Sequence, residues 1–254
     1  MAEPILLLDV GNTRLKWALD EDGTFLAGSS FRHGGELVPE SLASVIHHDD
    51  VRPARVVASC VASEGVCSAL ARWADQTLGL TLERITAATR GWGVVNGYAR
   101  PQGLGSDRWA AMVAARNRCA GHVCIVDAGT AITVDLLDGA GQHQGGFILP
   151  GLHALLGGVA GNTAVRLSRL PDPVREPGRD TASGLANGAL EAICAFIESI
   201  FHRFEQQSGE KVQCLLTGGD GAVLSPHLQI PHAMEPALVL LGLSRMARED
   251  PQTS

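Results

Sequence analysis

The chain has 254 residues, 45% hydrophobic and 19% charged, enough apolar material for one large domain or two smaller ones and unlike the composition of a disordered chain. Its formal charge of −7 argues against nucleic acid as the main ligand, because binding a phosphate backbone needs a basic surface. No run reaches the roughly 18–20 consecutive apolar residues of a membrane helix, and Met1-Ala2-Glu3-Pro4 lacks a basic leader region, so a cytoplasmic protein with no membrane partner is expected.

In chain order, residues 5–23 open with the apolar run Ile5-Leu-Leu-Leu8, then Asp9-Val-Gly11-Asn12. The alternating Leu15, Trp17 and Leu19 follow, closed by Asp22-Gly23. A continuous apolar run predicts a strand buried on both faces, period-two alternation a strand with one covered face, and Asp-Gly a hairpin turn. Val56-Val57-Ala58 and residues 81–85 read as short strands around a helix over 62–78, which carries Val66, Ala69, Leu70 and Trp73 at helical spacing. A further helix is predicted over 107–120.

Residues 123–139 then repeat the opening pattern: an apolar run into Asp127-Ala-Gly129-Thr130, alternating Ile132, Val134 and Leu136, and Asp138-Gly139. The offset is 118 residues, so the chain reads as two similar α/β lobes, 1–117 and 118–254, with the Asp-x-Gly turns facing each other across a cleft. Residues 169–179 hold Pro171, Pro173 and Pro177 and read as an exposed connection. Residues 182–204 and 236–248 read as long helices of the second lobe, with a strand over 212–216 between them. The six cysteines form no CxxC pair and mostly stand in apolar stretches, so they read as small core residues of a reduced protein.

Each Asp-x-Gly turn places a carboxylate beside a glycine that lets backbone N–H groups approach an anion, suiting nucleotide phosphates with the Asp handling cations. The plainer reading, two aspartates that merely stabilise tight turns, loses weight because the turns match. Asn12, Thr13 and Lys16 add donors to the first turn, and Lys16 is one of only two lysines, the other being Lys211. In Leu216-Thr-Gly218-Gly219-Asp220 a strand runs into paired glycines against which a flat ligand could lie, a weak signal alone.

The acceptor candidate is Asn96-Gly-Tyr98 with Gly105-Ser106-Asp107-Arg108. An ionised Asp at a helix start could take a hydroxyl proton during phosphoryl transfer, although Ser and Asp are also ordinary caps. No P-loop, HExxH, Cys/His zinc spacing or GxSxG is present.

In this order these motifs, with Gly145-Gly-Phe-Ile-Leu-Pro-Gly151, Asn162-Thr-Ala164, Thr181 and Pro236-Ala-Leu-Val-Leu-Leu-Gly242, make a chain that resembles the type III pantothenate kinases, over nearly its whole length. That family belongs to the acetate and sugar kinase, Hsp70 and actin superfamily. The resemblance implies an α/β fold of two ribonuclease H-like lobes, a duplicated actin-like ATPase fold. It also implies ATP-dependent phosphorylation of pantothenate, the first step of coenzyme A biosynthesis.

Carried over position by position, Asp107 becomes the catalytic base. Tyr98, Gly105, Ser106, Asp107, Arg108 and Thr181 become pantothenate contacts, Thr181 serving the pocket of the partner in a homodimer. Asp9, Val10, Gly11, Asn12, Thr13, Arg14, Leu15, Lys16 and Thr130 become ATP contacts, with Gly218 and Gly219 near the adenosine. Asp127 becomes a ligand of a monovalent cation, K⁺ or NH₄⁺, and Asp9 acts on Mg²⁺ directly or through water. The rival expectations are another kinase or phosphatase of the superfamily and a non-catalytic regulator. Asn-Gly-Tyr with Gly-Ser-Asp-Arg favours the pantothenate kinase, because it belongs to the acceptor site.

Overall fold

The computed structural model describes residues 3–37, 42, 52–162 and 172–251, which form two compact units. Unit 1 comprises Met1–Arg118 and Ala237–Ser254, and unit 2 comprises Cys119–Pro236.

In unit 1 the strands β1 (Ile5–Val10), β2 (Arg14–Glu21), β3 (Thr24–Arg32), β4 (Arg55–Cys60) and β5 (Leu82–Arg84) form one sheet, ordered β3-β2-β1-β4-β5. The first three make an antiparallel meander, and β4 and β5 add in parallel. The β2–β3 turn pairs Glu21 with Thr24, and Asp22 and Gly23 both take positive φ, 50° and 81°, as the sequence signal requires. Leu6, Leu8, Val10, Leu15, Trp17 and Leu19 share one core with Val66, Leu70 and Trp73 of helix α1 (Glu64–Trp73). The alternation at Leu15, Trp17 and Leu19 thus marks the face covered by α1.

The opposite face of this sheet presents Asp9, Lys16, Asp20 and Ser59, and against this side of unit 1 pack α2 (Ser106–Arg118) and the C-terminal helix, here called α6 (Leu238–Arg248). A Cβ on Gly242 would lie 1.9 Å from the Ala110 carbonyl oxygen, so α2 and α6 cross in backbone contact. Ser244 Oγ and Arg248 Nε donate to Asp20 Oδ2 over 2.9 and 2.7 Å, tying α6 to β2. Read from sequence, 236–248 belongs to the second lobe; its buried face instead completes unit 1.

Unit 2 repeats the plan. Strands β8 (His122–Ala128), β9 (Ala131–Leu137), β10 (His143–Pro150), β11 (Val212–Thr217) and β12 (Ala233–Met234) run in the order β10-β9-β8-β11-β12. Again the first three are antiparallel and the last two parallel. The duplication read from two short motifs therefore extends to whole sheets, with β6 (Arg90–Gly91) and β7 (Val94–Val95) as a separate small ribbon in unit 1. The second hairpin differs from the first. Asp138 Oδ1 accepts from the Ala140 and Gln142 amides, and the left-handed residue is Gly141 rather than Gly139.

Helices α3 (Leu152–Asn162), α4 (Thr181–Ser208) and the short α5 (Gly221–Leu224) complete unit 2. Asp180 caps α4, accepting from the Ala182 and Ser183 amides, which holds its carboxyl below the usual range. By length and composition α4 could cross a membrane, with mean hydropathy 1.4 over its best window, but half of that window is buried. Its apolar side, including Leu190, Ile193, Ile197 and Phe201, packs into the unit 2 core.

Residues 169–171 of the proline-rich stretch, including Pro171, lie outside the described residues, as do Thr163 and Ala164. From 172 to 180 the chain is largely exposed and is held to α4 by Arg175, which ion-pairs with Glu191 and Glu198, and by Asn187, which bonds Val174 N and Glu176 O. One cysteine expectation is corrected. Cys60, at the end of β4, is disulfide-bonded to Cys67 in α1, because the turn after β4 folds the helix back over the strand end. Cys119, Cys124, Cys194 and Cys214 are buried and not disulfide-bonded, and burial raises Cys194 to about 11.

Candidate active site

In unit 1 the site begins where β1 turns into β2. Asp9 stands opposite Lys16 and Val10 opposite Leu15, leaving residues 11–14 as the turn, closed by Gly11 N donating to Arg14 O over 3.0 Å. Cross-strand partners point to the same face of a sheet, so the carboxylate of Asp9 and the ammonium of Lys16 share the face that carries α2.

A residue missed in the sequence braces this turn. His33, just beyond β3, donates its amide to Thr13 O at 3.0 Å, and its Nε2 lies 2.9 Å from Gly11 O. The Gly35 amide donates to His33 Nδ1 over 3.2 Å, which makes Nδ1 the acceptor and leaves Nε2 as the N–H that donates to Gly11. Nothing local to His33-Gly34-Gly35 in the sequence shows that the strand edge returns to the first turn.

The acceptor candidates come together in the same unit. Asn96 organises the first motif, its Nδ2 donating to Ala88 O and Pro101 O and its Oδ1 accepting from Tyr98 N at 2.9 Å. Arg108, only 7% exposed, donates Nη1 to the Tyr98 hydroxyl over 2.6 Å and lies 5.4 Å from the ring centroid. The two motifs, ten residues apart in sequence, are thereby one constellation. Asp107 sits in the first turn of α2, where the helix dipole favours a carboxylate, and its Oδ1 accepts from Arg108 N at 2.7 Å. A Cβ on Gly105 would come within 2.5 Å of that same Oδ1, so glycine here leaves the carboxylate its position. The Ser106 hydroxyl meets the hydroxyl of Ser59 at 2.9 Å, both buried.

In unit 2 the equivalent turn follows Asp127, with Gly129 N donating to Ala131 O at 3.0 Å. Ala128 stands opposite Ile132, so this turn, residues 129–131, is one residue shorter than the first. Two glycines crowd it. A Cβ on Gly151 would lie 2.3 Å from Gly129 O, and the Gly151 amide donates to Thr130 O at 3.0 Å. Gly218, at φ 94°, would put a Cβ 2.3 Å from Ala128 O, which instead accepts from Asp220 N at 2.8 Å. Thr130, Gly218 and Gly219 thus gather at one end of the unit 2 sheet beside Asp127, while Thr181 lies exposed at the first position of α4.

Paired strand-turn-strand sheets with one acidic turn each and glycines packed against the second turn are the plan of the actin-like ATPase and sugar-kinase fold, and a carboxylate at a helix start suits a phosphotransferase. Solved structures agree on the fold. A PilM–PilN type IV pilus biogenesis complex aligns with TM-score 0.60 at 12% identity, covering 97% of this chain and 99% of that one. Lmo2764 of Listeria monocytogenes, described as an N-acetylmannosamine kinase, aligns at 0.51 and 14%, covering 95% and 97%. The family profile described as type III pantothenate kinase matches residues 5–203. A type III pantothenate kinase of Laribacter hongkongensis is 39% identical over 254 residues, 96% of this chain and 98% of its own. The chain belongs to the type III pantothenate kinase family.

Proposed function

We propose that the chain transfers the γ-phosphoryl group of ATP to the 4′-hydroxyl of pantothenate, giving 4′-phosphopantothenate and ADP at the entry to coenzyme A biosynthesis, with Asp107 as the base. The observation that carries the acceptor assignment is the buried Arg108–Tyr98 contact beside Asp107, which unites the two motifs at one helix start. In this reading Asp107 accepts the hydroxyl proton as the oxygen bonds to the γ-phosphorus, and the bond to the ADP oxygen breaks in line. Arg108, Tyr98, Ser106 and Gly105 shape the pantothenate side, and Thr181 adds a contact from a partner subunit. Residues 9–16, Thr130, Gly218 and Gly219 hold ATP.

The donor sets suit the two cations that the family resemblance implies. Mg²⁺ on ATP neutralises charge on the transferring phosphates, and Asp9 would hold it directly or through water. Beside Asp127, the register pairs Asp127 with Thr217, whose fully buried Oγ1 has no hydrogen-bond partner among the described residues. A carboxylate with an unspent hydroxyl beside it is hard-oxygen chemistry of the kind K⁺ or NH₄⁺ takes. A homodimer is supported by β10, an edge strand that exposes Phe147 and Ile148. A cytoplasmic location fits the substrates.

The test is ADP release with ATP, Mg²⁺ and pantothenate, in K⁺ and again in Na⁺. Turnover that needs pantothenate and collapses in Na⁺ supports both the reaction and the cation role of Asp127. Turnover indifferent to the cation removes that role, and no turnover in either buffer removes the reaction. Asp107→Asn is expected to keep ATP binding, read by calorimetry, while kcat falls at least about a hundredfold; full activity would remove Asp107 from the mechanism.

A further inference from the structure

Ser59 has no place in the motifs read from the sequence, yet its position is singular. It is fully buried, lies on β4 directly in register with Asp9 of β1, and meets the hydroxyl of Ser106 at 2.9 Å. Residues in register on neighbouring parallel strands point to the same face, so Asp9 and Ser59 stand side by side under α2. The contact spans 47 residues of sequence and joins the strand beside the nucleotide turn to the first residue of the acceptor helix.

We infer that Ser59 is a positioning residue for the acceptor site, setting the rotation of the Ser106 hydroxyl and the seating of the α2 first turn, and through them the Asp107 carboxylate. A hydroxyl rotates freely unless a partner fixes it, and in a water-poor pocket each of these two groups has the other as its partner. The following residues reinforce the seat. Val61 N donates to Val10 O at 3.0 Å, and Val61 Cγ1 lies 3.7 Å from where a Gly105 Cβ would be. The backbone under the Gly105–Arg108 turn is therefore the same segment that borders β1.

The internal duplication sharpens the assignment. Thr217 of β11 is in register with Asp127 as Ser59 is with Asp9, so both units place a buried hydroxyl beside their acidic residue. In unit 2 that hydroxyl has no hydrogen-bond partner among the described residues, whereas in unit 1 it is committed to Ser106. The same sheet position has been turned from a potential ligand into a brace for the acceptor helix.

This inference rests on the reading of Ser106 and Asp107 as acceptor-site residues, and the experiment separates the two. Steady-state kinetics are measured for Ser59→Ala, Ser106→Ala and the double variant, with thermal midpoints alongside. Ser59→Ala is expected to lower kcat/KM for pantothenate about tenfold, the scale of one hydrogen bond, with the KM for ATP within about twofold of the parent. On the Ser106→Ala background the same change should cost less than about twofold, because the partner is already gone. Ser59→Thr, the residue type that unit 2 carries at the equivalent position, should recover most of the loss. Parent-like pantothenate kinetics in Ser59→Ala, an equal loss toward both substrates, or full additivity in the double variant would each overturn the role of Ser59. If Ser106→Ala is impaired while Ser59→Ala is not, only Ser59 is misassigned; if Ser106→Ala is itself unimpaired, the acceptor reading and this one fall together.

Discussion

At the scale of single residues, the sequence motifs mark the groups proposed for catalysis and cation binding but not what holds them. Asp9, Asp107 and Asp127 were visible because a carboxylate beside glycine or at a helix start is a local pattern. His33 was not, because its function depends on a backbone carbonyl 22 residues away. Its three bonds, to Gly11 O, Thr13 O and from Gly35 N, immobilise the turn whose amides face nucleotide phosphates in the proposed site. His33→Ala removes the ring contacts and keeps the backbone one, so the turn loosens without unfolding. The expected result is a KM for ATP raised about three- to tenfold with pantothenate KM little changed. His33→Gln, whose amide can still donate to Gly11 O, should lie between. Unchanged ATP kinetics in both variants would show that the turn holds itself. Gly105→Ala belongs to the same scale: the added Cβ meets Asp107 Oδ1, so kcat is expected to fall by more than about tenfold while the thermal midpoint barely moves.

At the scale of elements, the hydrophobic periods were the most legible part. Leu15, Trp17 and Leu19 and their counterparts Ile132, Val134 and Leu136 do line the covered faces of β2 and β9. The Asp22-Gly23 turn has the expected geometry, whereas Asp138-Gly139 opens a longer hairpin whose left-handed residue is Gly141. A dipeptide signal marks that a turn occurs, but its type depends on how the flanking strands pair. The Cys60–Cys67 bond was hidden for a related reason, since six intervening residues bridge only if the helix returns over the strand end. Denatured protein prepared without reductant is expected to titrate four thiols, and six after reduction. Removing so short a cross-link should cost about 2 kcal/mol of stability. Six thiols before reduction would show that the pair is reduced in the native protein. Helix crossing makes a stronger demand: Gly242→Ala drives a methyl into the Ala110 carbonyl, and a loss of about 3 kcal/mol or more is expected in chemical unfolding.

At the scale of the whole molecule, a repeat in sequence suggests cutting the chain in half, and the chain does not follow the cut. The repeated strands predict two similar lobes, 1–117 and 118–254, but the second stretch returns its last helix to the first unit. Sequence alone could not show this, because α6 is amphipathic in the same manner whichever sheet it covers. What fixes its place is a set of contacts distant in sequence: Gly242 on Ala110, Ser244 and Arg248 on Asp20, Arg55 Nη1 on Ala247 O, and Trp92 Nε1 on Glu249 O. The most consequential is Arg248, whose guanidinium reaches Asp20 Oδ2 at 2.7 Å and Asp20 O at 3.0 Å, with Asp20 fully buried. Breaking a buried pair from one side leaves a charge without compensation, which costs far more than the pair itself contributes. Arg248→Ala is therefore expected to destabilise the protein by about 3 kcal/mol, and Asp20→Asn with Arg248→Ala by less, because the second change removes the stranded charge. Chemical denaturation of the two variants checks this. Since α6 packs on α2, whose first turn carries Asp107, Arg248→Ala should also lower kcat at temperatures where the fold is intact. A variant that loses stability with parent-like kcat would mean that α2 is held in place without the end of the chain. Equal losses in the single and double variants would mean that the stranded carboxylate is not what costs.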